Sequence, residues 1–262
     1  MEIASENKKV DIWTIFLYFT IYSIIGFFLE TMFAIPTKLV IESRQSFLYG
    51  PFCMIYGVGG VMMILLLRNI KRYEFLFIGG LIIGGLVEYY GSLVGEILFG
   101  VKWWDYTGML LSIHGRTCLF YLICWGFLSI FLIKYINPKV DKFLNNFKQR
   151  TNLKIFKVVS NCIMTFLVIN GYITGYALRA FYVRIAKEYD LDIRNKRSVN
   201  IEYNDLYNDM RIASIINKYF NDEKMLKTFP NIKIEEENRN IVYVENLLTE
   251  IKPYYLRLGN KK

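Results

Sequence analysis

Seven side chains stand where they could do chemistry. Glu30 and Glu88 lie inside long apolar runs, and Arg44, Glu96, Asp105, His114 and Arg116 stand at or just beyond the ends of such runs. A carboxylate in hydrocarbon costs roughly 3 kcal/mol or more unless it is paired, protonated or wetted. Such a group either serves a ligand or proton path or forms half of an ion pair that holds helices in register. The densest grouping is residues 95–116, GEILFGVKWWDYTGMLLSIHGR, which sets Glu, Trp-Trp-Asp-Tyr and His-Gly-Arg at one edge of an apolar segment. His114 is the only histidine, which excludes a multi-histidine metal centre, and HExxH, the nucleophile elbow and GxxxxGK[ST] are all missing. No catalytic residue, metal ligand or cofactor is therefore assigned, and ATP binding of the P-loop kind is excluded.

The elements that must position these groups are membrane helices. The chain is 54% hydrophobic and 17% aromatic, with its apolar residues gathered in blocks of twenty or more. A bilayer core of about 30 Å asks for about 20 apolar helical residues. Five runs qualify: residues 13–35, 47–67, 75–99, 117–136 and 155–181. The first contains Glu30 and lacks a small-residue cleavage site, so it reads as a retained span and not as a signal peptide. From about residue 186 charges recur every few positions and no run reaches membrane length. The expected architecture is all-α: a polytopic transmembrane bundle of about five spans over residues 1–185 and a soluble, helical C-terminal tail over 186–262.

Of the net charge of +9, the tail carries +1 and the membrane part +8. Basic groups in short loops beside apolar spans speak for orientation and for contact with membrane lipids, not for nucleic acid. The N-terminus and the loops after spans two and four hold eleven Lys and Arg, against four in the opposite loops, Lys38, Arg44, Lys102 and Arg116. This predicts a multi-pass cell-membrane protein with a cytoplasmic N-terminus and the Trp-Trp-Asp-Tyr loop outside. Five spans also place the tail outside, against the pull of Arg179, Arg184, Lys187, Arg194, Lys196 and Arg197; a cytoplasmic tail would require a re-entrant fifth segment.

In the third run Gly80, Gly84, Gly91 and Gly95 fall within an arc of about 60°, with Glu88 about 20° beyond it. This is a helix-packing face of the GxxxG kind, so Glu88 is expected to point into the bundle near mid-membrane. Ser23, Gly26, Glu30 and Ala34 make a similar face in the first run. Glu96 stands off the glycine face and can reach the interface. Glu30, Glu96 and Asp105 are expected to meet Arg44, Arg116 and His114 in one substrate-binding cluster at the outer edge, with Trp103, Trp104 and Tyr106 at head-group level. A structural ion-pair role for the carboxylates and a plain interfacial belt for the aromatics are the alternatives. The four cysteines lack CxxC spacing and read as small apolar residues.

Four blocks, IYSIIGFFLE at 21–30, FLYGPFCMIYGVGG at 47–60, EILFGVKWWDY at 96–106 and HGRTCL at 114–119, resemble the CmpB-like family of small bacterial membrane proteins described as "putative ABC-transporter type IV" permeases. The resemblance covers about residues 13–138. It implies functional weight for Gly26, Glu30, Tyr49, Gly50, Pro51, Cys53, Tyr56, Gly57, Glu88, Glu96, Trp103, Trp104, Asp105, Tyr106, Gly115 and Arg116. Gln45-Ser46 stands where the family has Arg-Gly, with Arg44 displaced by one residue. Cys53-Met54 stands where the family has Cys-Pro, a change expected to remove a kink from span two.

The resemblance implies a permease subunit that moves a small or amphiphilic solute with the help of a separate ATPase, docked on the basic stretch 134–157. Two other functions fit the residues: a non-transporting membrane adaptor or regulator acting through its tail, and a lipid-acting enzyme with Glu30 or Asp105 as base and His114 or Arg116 holding an anion.

Overall fold

The computed structural model describes residues 10–258. The first helix, α1 (Ile12–Lys38), begins where the Asp11 carboxylate accepts the Thr14 N–H at 3.0 Å. It stops at Leu39, which takes a left-handed conformation (φ 53°) and returns its N–H to the Ile35 carbonyl. Its 27 residues reach about 40 Å, enough to cross a hydrocarbon core of about 30 Å. A short strand, β1 (Val40–Ile41), leads through an irregular segment to α2 (Met54–Leu67) and then α3 (Tyr73–Phe99). Next come α4 (Leu119–Phe131), a π-helical turn at Leu132–Ile136, α5 (Asn137–Arg150) and α6 (Leu153–Glu188). Four stretches, α1, α3, the continuous run from α4 to α5, and α6, are long and apolar enough to cross a membrane, so the all-α membrane bundle is observed.

The segment expected as span two differs. Its helix occupies only Met54–Leu67, 14 residues or about 21 Å, because Gly50 (φ 84°) and Pro51 keep the chain before it out of helical geometry. Irregular backbone at membrane depth persists only where protein groups satisfy it. Here the Asn170 amide brackets Tyr49, donating to its carbonyl at 2.6 Å and accepting its N–H at 3.3 Å. Thr174 Oγ1 accepts the Leu48 N–H at 2.8 Å, and the Ser23 carbonyl accepts the Cys53 N–H at 2.9 Å. Met54 is the first residue of α2, a position where proline starts a helix instead of kinking it, so the Cys53-Met54 departure removes no kink.

The basic stretch read as a loop after span four is the helix α5. It is pinned to α1 by a Tyr18–Asp141 hydrogen bond, by Tyr22 donating to Asn137 Oδ1 at 2.9 Å, and by Lys148 against Asp11 at 3.0 Å.

At 36 residues, about 54 Å, α6 exceeds any bilayer core, and its last third forms the spine of the tail. Ala177, Phe181 and Ile185 bury against residues of α7 (Lys196–Asn208), α8 (Met210–Tyr219) and α9 (Asp222–Thr228). Arg179 pairs with Glu202 at 2.6 Å, and Arg184 pairs with Asp222 while donating to the Phe220 carbonyl at 3.1 Å. With Lys196 paired to Asp190 at 2.9 Å, three of the six cations that pull against an outer tail are thus held by tail partners. Strands complete the tail, with β2 (Lys233–Glu235) pairing antiparallel to β3 (Ile241–Tyr243), followed by α10 (Val244–Leu247) and β4 (Leu256–Arg257). β4 pairs with β1, Val40 opposite Arg257 and Ile41 opposite Leu256, so the end of the tail is stitched to the chain leaving α1.

Because α6 is one unbroken helix, the tail shares a face with segments 39–53 and 100–118, opposite the start of α1 and α5. In a chain freed of its native cysteines, Gly108→Cys and Ser198→Cys are expected to react with an impermeant maleimide from the same side of the membrane and Lys142→Cys from the other. Labelling of positions 198 and 142 from one side would contradict this arrangement.

Candidate functional site

Close helix packing builds the interior. Gly84 of α3 leaves room for the Trp125 ring of α4, and Gly26 of α1 for the Tyr56 ring of α2; a Cβ at either glycine would collide with the facing aromatic. Of the other glycines on the expected packing face, Gly80 meets Ser129, Gly91 meets Ile55 and Gly95 meets the Trp103 ring. Tyr56 and Trp125 lie against each other with centroids 5.2 Å apart.

Around this packing runs a cavity of about 1350 Å³, walled by α1, α2, α3, α4 and α6 and by the tail. Its membrane part is mostly apolar, with tyrosines and Thr174 in the wall, and its two charged groups there are carboxylates. Glu30 Oε1 accepts the Tyr56 hydroxyl at 2.6 Å. Glu88 is buried: its Oε2 accepts Thr117 Oγ1 at 2.9 Å, its Oε1 accepts the Tyr106 hydroxyl at 3.4 Å, and the Trp125 indole supplies a third hydrogen bond. The two carboxylates lie close enough to feel each other's charge. Counting back along the helices, Glu30 lies about 12 Å below the end of α1 and Glu88 about 16 Å below the end of α3.

Polar groups crowd the tail end of the cavity, where Lys38, Arg44, Asp105, Lys233 and Glu245 join its wall. Arg44 pairs with Glu42 at 2.7 Å, and Lys38 reaches the same carboxylate at 3.0 Å. Asp105 accepts the Thr107 hydroxyl at 2.8 Å and so shapes its own turn. Burial pushes the Lys233 ammonium down to about 8, with Lys38 and Arg44 acting in the same direction and Asp105 and Glu245 against it.

The expected single outer cluster is divided. Glu30, Glu88, Asp105 and Arg44 line the cavity, whereas Glu96 and Arg116 belong to a buried charge chain beside it. Arg116 donates to Glu96 at 2.5 Å and to Ser92 at 3.0 Å; Lys102 lies 3.5 Å from Glu96 and also pairs with Glu235 of β2. His114 sits apart, exposed with φ 52°, its Nδ1 2.9 Å from the Tyr89 hydroxyl. The three aromatics expected at head-group level turn inward: Trp103 into the cavity wall, Trp104 to the Arg116 carbonyl at 2.8 Å, and Tyr106 to Glu88 while stacking on Tyr121 at 4.4 Å. Each polar tip finds a better partner inside than at the interface, Trp103 excepted, whose indole N–H has none among the described residues.

Sequence reasoning missed Glu42, Lys102, Glu235 and Lys233, because the first two sit in short loops and the last two lie more than a hundred residues from their partners. It also missed Asn170 and Thr174, although two polar residues at i and i+4 within an apolar run are a readable signal of something to hydrogen-bond. Among the described residues no group of acidic, histidine and cysteine side chains is arranged to hold a metal.

A family model described as "Putative ABC-transporter type IV" matches residues 17–175. The match runs beyond the resembling blocks into α6, covers the bundle helices that wall the cavity, and stops before the tail. No curated protein and no solved structure matches.

Asn170→Leu orphans the Tyr49 carbonyl and N–H in the bundle interior. At about 1–3 kcal/mol for each unmade bond, the variant is expected to unfold several degrees earlier in mild detergent. An unchanged melting temperature would show that the irregular segment does not depend on α6.

Proposed function

The chain belongs to the "Putative ABC-transporter type IV" family, and from that membership we propose that it is the membrane-spanning permease subunit of a transport system, moving an amphiphilic or small solute through the cavity between its helices. The observation that carries this reading is the cavity itself. At about 1350 Å³ it exceeds the roughly 300–1,000 Å³ of ordinary small-molecule sites, and it sets Glu30 and Glu88 at membrane depth on its wall. The two carboxylates are the solute-handling groups, and Asp105 and Arg44 contribute at the tail end. Glu96 and Arg116 serve by holding the tail in place, and His114 by fixing its loop against Tyr89.

The N-terminus and α5 face the cytoplasm, because the short loops on that side carry the excess of Lys and Arg, whereas a folded tail with balanced charge crosses largely regardless of its own. The exposed cations of α5 are then the natural docking surface for a separate ATPase subunit.

Glu88→Gln keeps the side-chain volume and removes the charge. In ATP-energised membrane vesicles containing equal amounts of inserted protein, untargeted mass spectrometry of the contents is expected to find at least one solute enriched by the native chain and reduced more than tenfold in the variant. Identical contents would remove Glu88 from the transport path.

A further inference from the structure

The two ends of the cavity differ in chemistry, and the difference specifies an occupant. The wall along α4 runs from Phe120 to Phe131, about 17 Å of helix, close to the ~15 Å depth of one leaflet. Phe33 of α1, Tyr90 of α3 and Phe127 and Phe131 of α4 line this wall and are exposed, so the cavity is open, not sealed, between the apolar helices. At the level where α1 and α3 end, the wall turns cationic. Lys38, Arg44 and Lys233 converge there closely enough that the first two disfavour charge on the third.

These cations are incompletely used. Lys233 is 9% exposed and, among the described residues, forms no ion pair; its ammonium has the Trp103 carbonyl at 3.4 Å and the Tyr243 ring at 5.2 Å. Arg44 spends one guanidinium nitrogen on Glu42 while its buried Nε has no partner among the described residues. Of the three carboxylates at this end, Glu42 is shared between Arg44 and Lys38, whose ammonium also donates to Asn231 at 2.7 Å, and Asp105 already holds Thr107, so neither pairs with Lys233. Like charges gathered in a buried site with spare donors suit an anion, which would satisfy the donors and relieve the repulsion.

We propose that the cavity binds an anionic lipid, its acyl chains along α1, α3 and α4 and its phosphate against Lys38, Arg44 and Lys233. This names the solute class of the cavity and rests on reading the cavity as the ligand-handling site. The head group stays at the tail end, where β2 and β3 supply Lys233 and Tyr243, and the chains pass Glu30 and Glu88. The groups facing Lys233 are Lys38 and Arg44 from α1 and the segment after it, Asp105 from the loop before α4, and Glu245 from α10. With its ammonium titrating at about 8, Lys233 is charged below that pH and loses its charge above it, so binding is full at pH 7 and falls as pH rises through 8.

The test uses the full chain in mild detergent, challenged with equimolar phosphatidylglycerol and phosphatidylcholine of identical chains and read by native mass spectrometry. Phosphatidylglycerol is expected to be retained at least tenfold over phosphatidylcholine at pH 7, with the preference shrinking by pH 9.5. The preference is lost in the double variant Lys233→Gln, Arg44→Gln, retained in Lys233→Arg, and unmoved by millimolar inorganic phosphate. Equal retention of the two lipids, or a preference that survives the double variant, would overturn the proposal. Displacement by inorganic phosphate would show a soluble-anion site and overturn the lipid. If the double variant fails to insert, the pH profile and Lys233→Arg decide alone: a preference that is flat with pH, or lost in Lys233→Arg, overturns it. The assay contains neither ATP nor an ATPase, so it gives its result independently of whether Glu88→Gln stops transport.

Discussion

The chain of buried charges Glu235–Lys102–Glu96–Arg116 ties three parts of the protein that the sequence separates widely: the tail sheet, the loop after α3, and α3 itself. Lys102 and Arg116 are buried, so losing either partner would leave a desolvated charge, a penalty of about 3–5 kcal/mol for a buried pair. Alongside these ion pairs, Lys102 and Lys233 exchange backbone hydrogen bonds at 2.9 and 2.8 Å. Together these links fix where β2 stands, and with it the Lys233 ammonium at the end of the cavity. The tail is therefore part of the wall of the membrane cavity and not an appendage to the bundle.

A second constraint acts inside the membrane, where each backbone or side-chain polar group needs a protein partner. Asn170 and Thr174 meet it for the broken segment before α2, and Thr117, Tyr106 and Trp125 meet it for Glu88. Satisfying these groups locally leaves the wall between the helices mostly apolar and the tail end charged, which is what makes the space suited to an amphiphile and gives the carboxylates their prominence. Glycine faces allow this density, since Trp125 and Tyr56 reach their positions only over Gly84 and Gly26.

Much of the architecture was legible in the sequence because membrane helices are specified by length and hydropathy alone. The glycine face of α3 and the inward direction of Glu88 followed from helical period. Span two misled because its apolar composition is continuous through Gly50-Pro51, and only the polar pair on α6, far along the chain, supports a non-helical path there. The candidate site was read from local neighbours, so Glu96 and Arg116 were grouped with Glu30. Glu96 and Arg116 do meet each other as expected, but the onward link from Glu96 to Lys102 and through it to Glu235 depends on a tail whose docking no periodicity announces. His114 is the only histidine in the sequence, but its left-handed backbone and exposed ring mark it as a loop residue.

The account depends most on the tail being locked to the bundle through Lys102 and Glu235. A double-mutant cycle on Lys102→Met and Glu235→Gln, read from unfolding of the full chain in mild detergent, measures that link directly. A coupling of about 1–3 kcal/mol is expected. Effects that add to within about 0.3 kcal/mol would mean that the two residues do not feel each other, and the tail would not be the wall of the cavity.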